Sequence, residues 1–149
     1  MEHDFKKYPE LTNRQLNELQ FQSPHKQITE DFIADVVKVH DGDTITLKTD
    51  FRDFKFPVRM LEIDAPEMNA GGEEARDWLK NKILNQKVEI LINKKKRVDK
   101  YGRLLGSVIY AGMNIGDEEI YLGLAKPFSS RYEGQLPNLN KDLSTEKWL

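Results

Sequence analysis

Five short β-type segments, with one amphipathic helical segment between the third and the fourth, predict an α+β fold. That order matches a five-stranded Greek-key barrel of the OB type with two or three helices, although an unclosed α+β sheet satisfies the same pattern. Residues 32–39 are rich in β-branched side chains, break at His40-Asp41-Gly42-Asp43, and resume over 44–48 with Ile45 and Leu47 alternating against polar neighbours. Such a pattern reads as two strands joined by an Asp-Gly turn. A third strand over about 54–63 contains Pro57, which suggests an edge or a bulge. Residues 73–84 carry an apolar stripe at helical spacing, Ala75, Trp78, Leu79 and Ile83. Strands over 88–92 and 104–110 follow, then a short helix over 115–122 that Gly123 stops.

The compact part spans 31–128, as a single domain. Before it, residues 1–30 form a polar N-terminal extension with Pro9 and Pro24. There Thr12 to Leu19 suits a short capped helix without an apolar face of its own. Such an arm is expected to pack on the domain or on a partner, or to stay partly mobile. Residues 129–149 read as an irregular C-terminal tail.

With 149 residues, 38% hydrophobic and 32% charged, the chain can bury a core under a heavily charged surface. No apolar run is long enough for a membrane span, and no membrane partner is expected. No apolar stretch follows the first residues, so a cytoplasmic protein is expected, although a leader removed beforehand leaves the same sequence. The absence of cysteine excludes disulfides, thiolate metal sites and cysteine nucleophiles. A net charge of −2 and a pI of about 6.0 argue against coating nucleic acid by charge alone, so any such contact should be local. Lys94-Lys95-Lys96-Arg97 with Lys100 and Arg103 form a basic block, which taken alone reads as a solvated hairpin. A monomer is expected.

Four stretches supply the parts of a phosphate-cleaving metal site. They are Asp41-Gly42-Asp43-Thr44, Arg59, Ile63-Asp64-Ala65-Pro66-Glu67, and Asp99-Lys100-Tyr101-Gly102-Arg103. Asp43 opens one strand and Asp64 ends another; on neighbouring strands their carboxylates can converge on a hard cation and leave coordination positions open. Aspartates also simply favour turns. Glu67 follows Pro66, which restricts the backbone and so directs a carboxylate able to orient or deprotonate water. Arg59 and Arg103 offer permanently charged, bidentate contacts to phosphate oxygens.

In order and spacing these stretches, with Gly123-Leu124-Ala125-Lys126, resemble the staphylococcal (micrococcal) nuclease family over about 31–128. The resemblance implies that Asp43 and Asp64 ligate calcium by carboxylate and Ala65 by its backbone carbonyl. It further implies that Glu67 activates the attacking water and that Arg59 and Arg103 bind the phosphate. Lys100 and Tyr101 match residues that contact a terminal phosphate of bound nucleotide. The implied reaction is calcium-dependent hydrolysis of DNA and RNA, single-stranded preferred, to 3′-phosphate products, with magnesium or manganese as the less favoured metals. A non-catalytic OB-fold module binding nucleic acid or protein is the alternative, and the five filled positions weigh against it.

Four departures stand out. Ala65 occupies a threonine's place, which a carbonyl ligand tolerates. Phe128-Ser129-Ser130 stands where the family's type member has tyrosines near the base, with Tyr132 as a substitute. The long C-terminal helix is absent or reduced to residues 140–148, and the N-terminal arm has no counterpart there.

Overall fold

The computed structural model describes residues 3–128. In chain order the elements are α1 (Asn13–Leu19), β1 (Phe32–Val39), β2 (Thr44–Thr49), β3 (Arg52–Met60), β4 (Ile63–Asp64), α2 (Gly72–Ile83), β5 (Lys87–Leu91), β6 (Leu104–Tyr110), β7 (Met113–Asn114), α3 (Ile115–Tyr121) and β8 (Lys126–Pro127). Strands β3, β2, β1, β5 and β6 are neighbours in that order, all antiparallel. Parallel pairing of Val58 with Leu104 and Arg59 with Leu105 then joins β3 to β6. That last pairing closes a five-stranded mixed barrel, so with three helices the molecule has the α+β, OB-like fold its sequence predicts. A two-stranded ribbon of β4 and β8 lies outside the barrel sheet.

Alternation along the strands sends Val36, Ile45, Leu47, Phe56, Val58, Ile90, Leu104 and Val108 into the barrel, each at most 2% exposed. Helix α2 adds Leu79 and Ile83 from one face, and α3 adds Ile115. Burial of these apolar surfaces is the main stabilising contribution to the fold.

The third strand is shorter than expected. It ends at Met60, and the chain turns through Leu61 and Glu62 before the separate β4. Glu62 takes a left-handed conformation, φ 67°, and the Leu61 N–H donates to the Gly106 carbonyl at 2.9 Å. The turn takes Asp64 off the barrel sheet and onto the ribbon. Pro57 lies where β3 has β2 as its one partner, since β6 joins only at Val58, and the register shift falls between Leu47 and Thr49 instead.

Thr12 caps α1 through a capping box with Gln15, and no residue of that helix is buried. The arm is nevertheless fastened to the barrel on either side of the helix. Leu11 and Ile28 are 0% and 2% exposed. Glu10 pairs with Arg52 at 2.5 Å and with Arg97 at 3.4 Å, all three side chains almost fully buried. Arg97 also donates to the carbonyls of Ile28 and Leu11. It is therefore not part of a solvated basic hairpin, as the run Lys94–Arg97 suggested; only the three lysines are exposed.

Among the described residues no helix is long and apolar enough to cross a membrane. The expectations for Tyr132, residues 140–148 and the tail 129–149 lie outside the described residues.

Candidate active site

Asp43 sits at the entrance to β2, held by its neighbours at both ends. Its N–H donates to Asp41 Oδ1 at 3.0 Å and its carbonyl accepts from the Met60 N–H at 2.7 Å. Its carboxylate accepts from Thr44 Oγ1 at 3.1 Å and from the Ala65 N–H at 2.9 Å. Strand β3 lies beside β2 in the register Thr44 to Arg59, which places the Arg59 guanidinium over the same point. Arg59 Nη2 lies 3.5 Å from Asp43 Oδ2 and 3.7 Å from Asp64 Oδ1. Its Nη1 donates to the carbonyls of Met60 and Ile63 at 2.7 and 2.9 Å, spanning the tight turn into β4. One arginine thus fastens the β3–β4 turn and gathers both aspartates.

The Asp-Gly break does not work through a left-handed glycine. Gly42 is absent from the positive-φ positions. A Cβ there would stand 2.7 Å from Ala65 Cβ and 2.8 Å from Ala75 Cβ. Glycine is needed because the acidic loop, Ala65 and α2 meet at that point.

Burial dominates the electrostatics of this corner. Asp43 is 7% exposed, and desolvation raises its pKa from 3.8 to about 6 against the opposing pull of Arg59 and the Ala65 N–H. Behind it lies a carboxyl that sequence reasoning passed over. Glu119 of α3 is 0% exposed, and among the described residues neither of its side-chain oxygens has a hydrogen-bond partner. Its Oε1 would lie 3.2 Å from a Cβ on Gly42. Desolvation first, then the fields of Asp43 and Asp41, push its pKa up to about 9. Helical spacing held the signal: Glu119 lies four residues after the buried Ile115, on the inward stripe of α3.

Glu67 is exposed, and it precedes a 3₁₀ turn, Met68–Ala70, without capping it by its side chain. Its carbonyl accepts from the N–H groups of Ala70 and Gly72, both at 2.9 Å. Gly72, the first residue of α2, is packed so closely on the Pro66 and Glu67 carbonyls that a Cβ would strike both. The start of α2 therefore holds the Glu67 backbone, together with Pro66.

Arg103, Lys100 and Tyr101 belong to a second unit, built by Asp99. Asp99 Oδ1 accepts from the N–H groups of Tyr101 and Arg103, both at 2.9 Å, and Oδ2 accepts from Arg103 Nε at 2.8 Å. Gly102, at φ 86°, makes this tight loop possible. Arg103 keeps both Nη groups beyond the Asp99 bond and lies 5.5 Å from the Tyr101 ring centroid. The structure thus brings Asp43, Arg59, Asp64 and Ala65 into contact and sets the Lys100–Arg103 loop at the start of β6. Arg103 is instead bound to Asp99, within its own loop. Phe128 was read only as a departure near the base side, yet its ring lies 5.9 Å from the Arg59 guanidinium carbon.

No grouping of three or more His, Asp or Glu able to hold a metal occurs among the described residues. The donor set present is two carboxylates gathered by one guanidinium, hard oxygen donors both, while Ala65 meets Asp43 through its N–H. It suits an oxygen-seeking divalent cation in an open site better than a closed cage.

The profile of a family described as Staphylococcal nuclease homologue matches residues 57–147. The chain is 42% identical over 82 residues to a micrococcal nuclease of Shigella flexneri, covering 54% of this chain and 44% of that protein. Identity to an uncharacterized endonuclease of Haemophilus influenzae is 36% over 91 residues, 60% of this chain and 49% of the relative. A thermonuclease of Staphylococcus hyicus is 33% identical over 110 residues, 69% of this chain and 60% of its own length. The chain spans about half the length of these curated relatives.

Proposed function

Because the chain belongs to the staphylococcal nuclease homologue family, we propose that it is a metal-dependent nuclease hydrolysing the phosphodiester bonds of DNA and RNA. The observation that carries this reading is the convergence of Asp43 and Asp64 on one Arg59 nitrogen, at 3.5 and 3.7 Å. The names of the relatives, a micrococcal nuclease and a thermonuclease among them, support it.

In this reading Asp43 and Asp64 hold a calcium ion by their carboxylates and Ala65 by its backbone carbonyl. Such an ion supplies charge stabilisation at a phosphate oxygen and a site for water. Arg59 and the free Nη groups of Arg103 bind the non-bridging oxygens and stabilise the negative charge that grows on them. Lys100 and Tyr101 bind a neighbouring phosphate. Glu67 takes a proton from water as its oxygen bonds to phosphorus. The bond from phosphorus to the 5′ oxygen breaks, and protonation of that oxygen completes a 5′-hydroxyl and a 3′-phosphate. Flexible single strands reach the in-line geometry more easily than stacked duplex.

The test is a gel assay on single-stranded DNA, duplex DNA and RNA with calcium, magnesium, manganese or chelator. Cleavage of both nucleic acids with calcium, fastest on single strands and abolished by chelator, is the expected result. Undiminished binding with no cleavage under any metal would favour a non-catalytic module instead.

A further inference from the structure

The N-terminal arm approaches the same loop that carries Arg103. The ring of Tyr8 lies on Gly102: a Cβ there would meet Tyr8 Cδ1 at 2.7 Å and Cε1 at 3.4 Å. A cleft lined by Lys7 and Pro9 on one side and by Tyr101, Gly102 and Arg103 on the other marks the junction. We propose that Lys7 and Tyr8, with Tyr101, form a subsite for the strand of single-stranded nucleic acid flanking the reacting phosphate. This rests on the nuclease reading and extends it.

Three properties of the patch point to that ligand. Its two tyrosines reach solvent, Tyr8 at 37% and Tyr101 at 64% exposed, with Tyr8 packed on Gly102 and the Arg103 guanidinium 5.5 Å from the Tyr101 centroid. Cations border both rings: Lys7 Nζ lies 5.4 Å from the Tyr8 centroid, and Lys100 Nζ lies 5.4 Å from the Tyr101 centroid. Neither lysine makes an ion pair among the described residues, whereas Arg59 and Arg103 do. Exposed aromatic rings interleaved with unneutralised cations are the means by which proteins hold bases and phosphates of single strands without reading sequence.

The arm is rigid enough to present this surface. Asp4 Oδ1 accepts from the N–H groups of Lys6 and Lys7 at 3.1 Å, and the Tyr8 N–H donates to the Asp4 carbonyl at 2.9 Å. His3 Nε2 hydrogen-bonds the Tyr8 carbonyl at 2.7 Å. Two residues beyond Tyr8, Glu10 is locked into its buried pairs with Arg52 and Arg97.

The experiment measures KM for a single-stranded oligonucleotide. It also measures the Kd of a short fluorescein-labelled oligothymidylate in chelator by anisotropy. Wild type is compared with Lys7→Glu, Tyr8→Ala and Tyr8→Phe. Tyr8→Ala raises both constants about fivefold or more, and Tyr8→Phe restores them. Lys7→Glu raises both and flattens the dependence of log Kd on log salt by about 0.7 or more, with melting temperature unchanged. A purely structural arm would lower melting temperature and leave the salt slope alone. Wild-type constants in both Lys7→Glu and Tyr8→Ala overturn the subsite while the nuclease reading stands. If wild type hydrolyses nothing, that reading fails and the Kd series decides the subsite by itself.

Discussion

Glu67 and Glu119 show how burial sorts carboxyl groups of one composition into different tasks. Glu67 is exposed on backbone fixed between Pro66 and Gly72, so its position is not left to chance. Glu67→Gln is expected to lower kcat by about 10²–10⁴-fold, the range of a general base, while oligonucleotide affinity in chelator stays near wild type. Single-turnover rates and anisotropy check it; a wild-type rate removes Glu67 from the mechanism. Glu119 is the opposite case, a carboxyl kept protonated by burial. Its unfolded pKa is near 4.5 and its folded value about 9. Between those values the unfolded chain has released a proton that the folded chain still holds, so stability falls as pH rises through the window. Glu119→Gln has no such proton. Relative to it, wild type should lose stability between about pH 5 and about pH 9, by at most about 1.4 kcal/mol per pH unit, read from urea denaturation in chelator. Parallel pH profiles for the two proteins would refute this.

At the scale of elements, the site is a meeting of chain segments that each have a structural reason to be there. The loop before β2 packs on α2 through Gly42 and Ala75, and on the Ala65 methyl, whose own N–H bonds Asp43. Gly42→Ala places a methyl inside two van der Waals contacts. The expected cost is about 1–3 kcal/mol in stability. Because the clash is with Ala65, whose N–H bonds Asp43, cleavage should fall even where the protein remains folded, as assayed below its melting transition. Full activity in a folded Gly42→Ala protein would show that the loop has room to shift. The Asp99 loop is a separate unit, closed by its own hydrogen bonds and a left-handed Gly102. Its motif was legible because every one of those bonds is local in sequence. The buried place of Arg97 was not legible, since its acceptors lie 69 and 86 residues away.

Across the whole molecule, the arm and the barrel are joined by an ionic knot of Glu10, Arg52 and Arg97 with almost no solvent access. Removing the one carboxylate leaves two buried guanidiniums without their counter-charge. Glu10→Gln is therefore expected to destabilise the protein by about 3–5 kcal/mol, measured by chemical denaturation. An unchanged midpoint would mean that the carbonyls of Ile28, Leu11 and Lys26 alone compensate the arginines. The sequence by itself determined the five barrel strands in their succession along the chain, both main-domain helices and the residue types of the candidate site. Alternation, helical spacing and turn chemistry act over a few residues and leave a local record. Only the tertiary structure decided that Arg59 gathers both aspartates, that Glu119 lies buried behind them, and that Tyr8 lies on the Arg103 loop. Those facts depend on which distant segments the barrel closure brings together and on how much water it excludes. Desolvation of that kind depends on the packed surroundings, which no short stretch of sequence contains.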